Sequence, residues 1–265
     1  MTKHAEIPSH EKELVVGTDS AHSSIEARPT LTGRVRYYWS LTAAGLLLLF
    51  WGLIPILVCW LLRRREWLYP WCLSGARWWL ALSGARVQVS GLENLDPQQT
   101  YVFLANHRSY LDTAALFAYS GRRIGLLAKK EILKVPILGQ GMGFVNILAI
   151  DRSNIERARI TTQAATDRIR AGVSYGVFAE GTRARPGQLL PFKKGGVYMA
   201  RDAGVSVVPV AIKNTDWLMG KGTGVARSGT MEIIFLPPIS TAGAQTPEEI
   251  GALADAARAA IAEVL

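Results

Sequence analysis

Residues 101–112 read YVFLANHRSYLD. The first five are apolar, led by an aromatic and a β-branched side chain, and suit a buried strand. Polar residues then break the run, and an amphipathic stretch begins at 109. A strand that ends in a polar turn and enters a helix is the building unit of α/β domains, whose reactive groups sit at strand ends. The same grain continues outward. VQV lies upstream at 87–89. Downstream come RRIGLLA at 122–128, NILAI at 146–150, YGVFA at 175–179, VSVVPVAI at 205–212 and MEIIFL at 231–236. Helical segments run from about 153 and from about 247 to the end, opened by apparent capping boxes at Ser153/Glu156 and at Thr246-Pro247/Glu249. The expectation is an α/β domain over residues 86–265, a central mixed sheet flanked by helices, with no internal repeats.

The sequence before 86 is different in kind. Residues 41–62, LTAAGLLLLFWGLIPILVCWLL, carry no charge. As a helix they extend ~33 Å, enough to cross the hydrocarbon core of a bilayer. A secretory signal starts earlier and carries a small-residue cleavage site. Gly52 and Pro55 interrupt the middle, where proline kinks a helix, so a helix that dips and returns fits as well as one that spans. Arg34 and Arg36 precede the run and Arg63, Arg64 and Arg65 follow it, an excess that puts the remaining chain on the cytoplasmic face. The next stretch, 67–82, holds Trp67, Trp71, Trp78, Trp79 and Arg77, a mixture suited to the headgroup layer. Residues 31–85 are therefore read as a two-helix membrane anchor, and 1–30, polar and without apolar period, as a mobile tail. The tail contains His4, His10 and His22, too widely spaced for a firm metal site.

The composition agrees. The 265 residues are 49% hydrophobic and 19% charged, which excludes a disordered chain. Two cysteines, Cys59 and Cys72, make neither a disulfide scaffold nor a zinc pattern. The net charge is +9, and because residues 1–30 carry three basic and five acidic side chains, the rest carries +11. Such a body attracts anions: anionic lipid, an acidic carrier protein or nucleic acid. It lacks a recognisable nucleic-acid module, so nucleic acid is not expected as a partner.

Three clusters carry chemistry. In the first, His107 is the only histidine outside the tail, and Asp112 lies five residues on. On one continuous helix the two would be ~140° apart and unable to meet. With His107 in the turn and Ser109 capping a helix in which Asp112 is third, the carboxylate reaches one imidazole nitrogen and leaves the other as a base. Asp112 completing a capping box, with His107 an ordinary loop residue, fits the spacing too. The second cluster, 178–183, is FAEGTR, followed by Arg185, Lys193 and Lys194. It reads either as a cradle for phosphate or carboxylate, or as a solvated basic turn. The third runs from Lys129-Lys130-Glu131 through Pro136 and Gly139 to Ile150-Asp151-Arg152, where Arg152 is either a surface ion-pair member or a further anion-binding group. No GxSxG elbow, GxxxxGK[ST] loop or HExxH pair is present, so direct activation of a substrate hydroxyl is simpler than a covalent acyl-enzyme.

In order and spacing these clusters resemble the glycerolipid acyltransferase family, in particular its 1-acyl-sn-glycerol-3-phosphate acyltransferases. The family's NHxSxxD motif matches Asn106, His107, Ser109 and Asp112, and its AKxEL…P…G…IDR block matches Ala128, Lys129, Glu131, Pro136, Gly139 and 150–152. FPEGTR is similar to FAEGTR, with Ala179 in the place of proline, and VxPVAI matches 207–212. The resemblance implies transfer of a fatty acyl chain from acyl-CoA or acyl carrier protein to the sn-2 hydroxyl of 1-acyl-glycerol-3-phosphate, giving phosphatidate for phospholipid biosynthesis, with no cofactor and no metal. It implies that His107 is the base and Asp112 its orienting partner. Lys129, Arg152 and Arg183 would hold the acceptor's phosphate in a pocket shaped by Glu180, Gly181 and Thr182. Another lysolipid, such as lyso-ornithine lipid, is an alternative acceptor. A non-catalytic basic membrane adaptor is the alternative from a different class.

Overall fold

The computed structural model describes residues 30–64, 67–151 and 153–265. Most of the tail at 1–30 therefore falls outside the described residues, as does Arg152. The chain begins with α1 (Leu31–Leu46), capped by Thr30, whose hydroxyl accepts from Gly33 N at 3.1 Å. A π-helical turn, Leu47–Gly52, joins it to α2 (Leu53–Leu61). The π turn is the local answer to Pro55. Its ring excludes the carbonyl four residues back and supplies no N–H, so the helix widens there instead of breaking. The uncharged 22-residue segment is thus the later part of a 31-residue helical run, Leu31–Leu61. Among the described residues this is the one helical run long and apolar enough to cross a membrane, and little of it is buried in the protein.

The third helix, α3 (Leu68–Leu82), packs on the body. Tyr69 Oη accepts from Ile124 N at 2.8 Å, Arg77 Nη2 donates to Ala118 O at 3.1 Å, and Leu68 and Leu80 are fully buried. Helix α1 leans on α3 through Ser40 Oγ···Ser83 Oγ at 2.6 Å, Trp79 Nε1 to Ser40 O and Trp39 Nε1 to Leu82 O, the last two at 3.0 Å.

The body then alternates β1 (Ala85–Ser90), β2 (Val102–Ala105), α4 (Leu111–Tyr119), β3 (Ile124–Lys129), α5 (Leu138–Gly141), β4 (Ile147–Ile150), α6 (Ile155–Arg170), β5 (Ser174–Phe178), α7 (Gly195–Ala203), β6 (Val207–Lys213), α8 (Thr215–Met219), β7 (Gly229–Phe235) and α9 (Pro247–Val264). All seven strands fall where the apolar runs place them. They form one mixed sheet in the order β1-β7-β6-β2-β5-β3-β4, parallel throughout except for the β6–β7 pair. Alternate side chains of β2 enter opposite cores. Phe103 faces α3 and α4 with Leu80, Leu116 and Phe235; Val102 and Leu104 face α6, α7 and α9 with Ala165, Val197 and Ile250. The Thr246 capping box is present with both of its hydrogen bonds. The one expected at Ser153 is not. Asn154 caps α6 instead, accepting from Arg157 N at 2.9 Å, while the Ser153 hydroxyl donates to Asp151 at 2.6 Å. Helix α7 has no counterpart in the sequence expectation, since Gly195-Gly196 at its start reads as a break.

Candidate active site

Strands β2 and β5 are parallel neighbours, with Ala105 paired to Phe178, so their carboxyl ends deliver NHRSYLD and AEGTR to the same place. His107 sits in the turn after β2. Its Nδ1 lies 2.9 Å from Asp112 Oδ2, and the same oxygen accepts from Arg108 N at 2.6 Å and Ser109 N at 2.7 Å. Asp112 is wholly buried, while His107 keeps 15% of its side chain exposed. A carboxylate only accepts, so the short Nδ1 contact is made through an Nδ1 proton, and in the neutral imidazole Nε2 is then the lone-pair acceptor. Asp112 Oδ1 is also buried and has no hydrogen-bond partner among the described residues. The imidazole stacks on Phe178, with ring centroids 4.0 Å apart and planes at 20°.

The expected helix start shifts slightly. Helix α4 begins at Leu111, so Asp112 is its second residue and reaches backward around the turn. Ser109 supplies no conventional cap: its hydroxyl accepts from Leu111 N at 3.2 Å and donates to Met219 O at 2.8 Å, tying the turn to α8. Asn106 extends this stitching by pairing both ends of its amide with Ile212 of β6, at 2.9 and 2.7 Å.

The chain is 31% identical over 245 residues to the 1-acyl-sn-glycerol-3-phosphate acyltransferase of Saccharomyces cerevisiae, spanning 89% of this chain and 80% of that one. The chain belongs to the 1-acyl-sn-glycerol-3-phosphate acyltransferase family. The family model described as Acyltransferase matches residues 86–213 of the chain, which hold every motif named above. It is also 34% identical over 179 residues to the mouse 1-acyl-sn-glycerol-3-phosphate acyltransferase alpha, covering 67% of this chain and 62% of that relative's length. The same fold occurs in the 1-acyl-sn-glycerophosphate (LPA) acyltransferase PlsC of Thermotoga maritima, with a TM-score of 0.74 at 24% identity over 88% of this chain and 95% of that one.

Glu180 is 3% exposed. One carboxylate oxygen accepts from His107 N at 2.6 Å and the other from Leu190 N at 2.8 Å. It thus clamps the histidine turn to the loop that follows FAEGTR, and burial raises its pKa above the ordinary value even against those two donors. Gly181 has φ +73°, and a methyl there would lie 2.8 Å from Lys193 Cε, so the lysine stem lies directly over the turn. Thr182 is exposed. The Arg183 guanidinium lies 3.6 Å above the Tyr110 ring, a cation–π contact that fixes it beside the histidine turn.

Lys129 ends β3 at the same carboxyl edge, but two strands away from β2, with 69% of its side chain exposed and Glu131 at 3.4 Å. Asp151, after β4, pairs with Lys130 at 2.8 Å and Arg157 at 3.6 Å. The Lys130 ammonium and the Ser153 hydroxyl hold its carboxyl well below the usual carboxylate range. The structure therefore gathers His107, Asp112, Glu180, Gly181, Thr182 and Arg183 closely, and places Lys129 further along the edge.

Sequence reasoning overlooked Arg108 and Asp216. Arg108 is buried, donates Nε to Gln188 O at 2.8 Å and meets Asp216 Oδ2 at 3.4 Å, while Gly187 N donates to that oxygen at 2.9 Å. Together they pin the 183–190 loop. Arg108 occupies a variable position of its motif and Asp216 lies 108 residues away, so no local pattern announces the pair.

Proposed function

We propose that the chain transfers a fatty acyl group from acyl-CoA or acyl carrier protein to the sn-2 hydroxyl of 1-acyl-glycerol-3-phosphate, giving phosphatidate for phospholipid synthesis. The observation that carries this reading is the His107–Asp112 pair, because the carboxylate accepts the Nδ1 hydrogen bond and leaves Nε2 able to take a proton. Nε2 removes the acceptor hydroxyl's proton as the oxygen attacks the thioester carbonyl. Buried Asp112 stabilises the imidazolium as it forms. Collapse of the tetrahedral adduct breaks the C–S bond, and the thiolate takes the proton back, releasing CoA or the carrier thiol. Arg183, Lys129 and Arg152 bind the acceptor's phosphate, and Gly181 and Thr182 shape the turn beneath it. Glu180 supports the same pocket by holding the two loops together.

The acceptor and the acyl chain both reside in lipid, and the apolar run Leu31–Leu61 keeps the enzyme there. Helix α3 forms the second part of the anchor, presenting exposed Trp71 and Trp78 to the headgroup layer. The arginines after residue 62 place the body on the cytoplasmic face. Residues 1–30 form a tail, 31–85 the anchor and 86–265 the catalytic domain.

The test is acceptor-dependent thiol release from an oleoyl thioester by wild type, His107→Ala and Arg183→Ala. The reading requires release with lysophosphatidate, its loss in His107→Ala, and a larger rise in KM for Arg183→Ala with lysophosphatidate than with a neutral lysolipid. Wild-type rates in His107→Ala would sink it. A response to lyso-ornithine lipid alone would keep the chemistry and change the acceptor.

A further inference from the structure

Beyond residue 83, the described residues leave five large apolar side chains exposed: Tyr110, Leu133, Val135, Ile155 and Ile160. A lone exposed leucine means little, but these are not scattered. Tyr110 follows β2, Leu133 and Val135 follow β3, and Ile155 and Ile160 follow β4, so all five lie on chain leaving the carboxyl ends of parallel strands. Ile155, at 84%, is the most exposed of all the large apolar residues described.

Cations share this rim. Residues 129–160 carry six basic and three acidic side chains. Glu131 and Asp151 are engaged by Lys129 and Lys130, while Lys134 and Arg159 have no acidic partner among the described residues. The rim is continuous with the apolar N-terminal run. A methyl on Gly52 of the π turn would touch Ile137 Cγ2 at 3.0 Å, and one on Gly141 would touch Ile56 Cδ1 at 3.4 Å, so the β3–β4 connection is packed against α2. Lys130 Nζ to Ser153 Oγ at 3.1 Å then ties that connection to the start of α6.

We propose that this rim is a second lipid contact, made by the catalytic body itself: the β3–β4 connection and the first turns of α6 rest on an anionic bilayer surface. Helix α6 runs antiparallel to its strand and meets the surface by its N-terminus. Ile155 and Ile160 differ by ~140° in direction but only ~7.5 Å in height, so an end-on approach brings both to the interface. Leu133, Val135 and Ile155 enter the headgroup boundary, and Lys134 and Arg159 meet lipid phosphates. The carboxyl ends of β2 and β5, with His107, then face the membrane from which a lipid acceptor arrives. The proposal rests on membrane association of Leu31–Leu61 and is independent of which acyl transfer the site performs.

The test uses the full chain with Cys59 and Cys72 replaced by alanine and a single cysteine introduced by Leu133→Cys, Ile155→Cys or Ala242→Cys, each carrying a polarity-sensitive fluorophore. Ala242 is exposed beside the start of β6, at the opposite end of the sheet. Each protein is reconstituted into phosphatidylcholine vesicles containing phosphatidylglycerol and lipids with a nitroxide high on the acyl chain. Strong quenching at 133 and 155, with little at 242, is expected, and replacing the anionic lipid by phosphatidylcholine should weaken it. Equal quenching at all three positions overturns the proposal. A second measurement needs no cysteine-free background. Ile155→Ser/Ile160→Ser should require several-fold more lipid surface for half-maximal rate, with an unchanged rate on a water-soluble short-chain acceptor. An unchanged requirement for lipid surface also overturns it.

Discussion

Replacing Asp112 by asparagine keeps the shape of the side chain and removes its charge, which isolates what the carboxylate does. Unit charges ~4 Å apart at an effective dielectric constant near 20 attract by about 4 kcal/mol, the scale on which the Asp112 charge stabilises positive charge developing on the imidazole in the transition state. The Asn carbonyl oxygen still accepts from Nδ1, which returns about 1 kcal/mol. The remaining ~3 kcal/mol corresponds to a fall in kcat of roughly a hundredfold, rising to about a thousandfold if the oxygen turns away. Stability falls as well. Oδ1 is buried without a partner, and an amide N–H₂ placed there has no acceptor, at a cost of about 1–3 kcal/mol. The assay is acceptor-dependent thiol release at saturating substrates, alongside thermal unfolding in detergent. Because the carboxylate acts through the imidazole, His107→Ala/Asp112→Asn should be no slower than His107→Ala alone. A folded Asp112→Asn enzyme within fivefold of wild-type kcat, or a double variant much slower than His107→Ala, would refute the reasoning.

Glu180→Gln should separate the clamp from its charge. Glutamine offers one acceptor oxygen to two backbone donors, so one of His107 N and Leu190 N loses its bond and stability at neutral pH drops by about 1 kcal/mol. The wild-type pKa is raised by burial, so the folded state binds more protons than the unfolded one, and stability declines as pH rises above 4.5 toward the folded value. Unfolding curves across that window should show a shallower decline in Glu180→Gln; an equal slope would show that another group sets it. Gly181→Ala forces a side chain into the left-handed region at φ +73° and pushes the Lys193 stem aside. The expected result is about 1 kcal/mol of lost stability and a higher KM for the phosphate-bearing acceptor, and a wild-type KM would show that the turn does not shape that pocket.

The strands were legible because each is a short apolar run bounded by polar residues, a property of a few consecutive side chains. The His107–Asp112 contact was legible for the same reason, since five residues of chain around one turn set its reach. Helix starts were less so. At Ser153 two neighbouring residues compete to cap α6, and in the fold Asn154 takes the cap while Ser153 bonds Asp151, which Lys130 holds from the turn after β3. The π turn likewise needs the whole helix. Pro55 announces a disturbance, but a break, a kink and a widened turn are equally consistent with the sequence.

By itself the sequence determined the class of fold, the reach of Asp112 back to His107 around one turn, and the long apolar run near the N-terminus. All three rest on local periodicity and spacing. Only the tertiary structure decided which strand ends share a site. Strand β2 lies between β6 and β5, far apart in the chain, and that pairing alone brings Phe178 under the imidazole and Glu180 to the backbone of His107. The Arg108–Asp216 pair and the rim of Leu133, Val135 and Ile155 are of the same kind. Contacts across a sheet follow from the order in which buried strands find partners, and that order is written in no single segment of the chain.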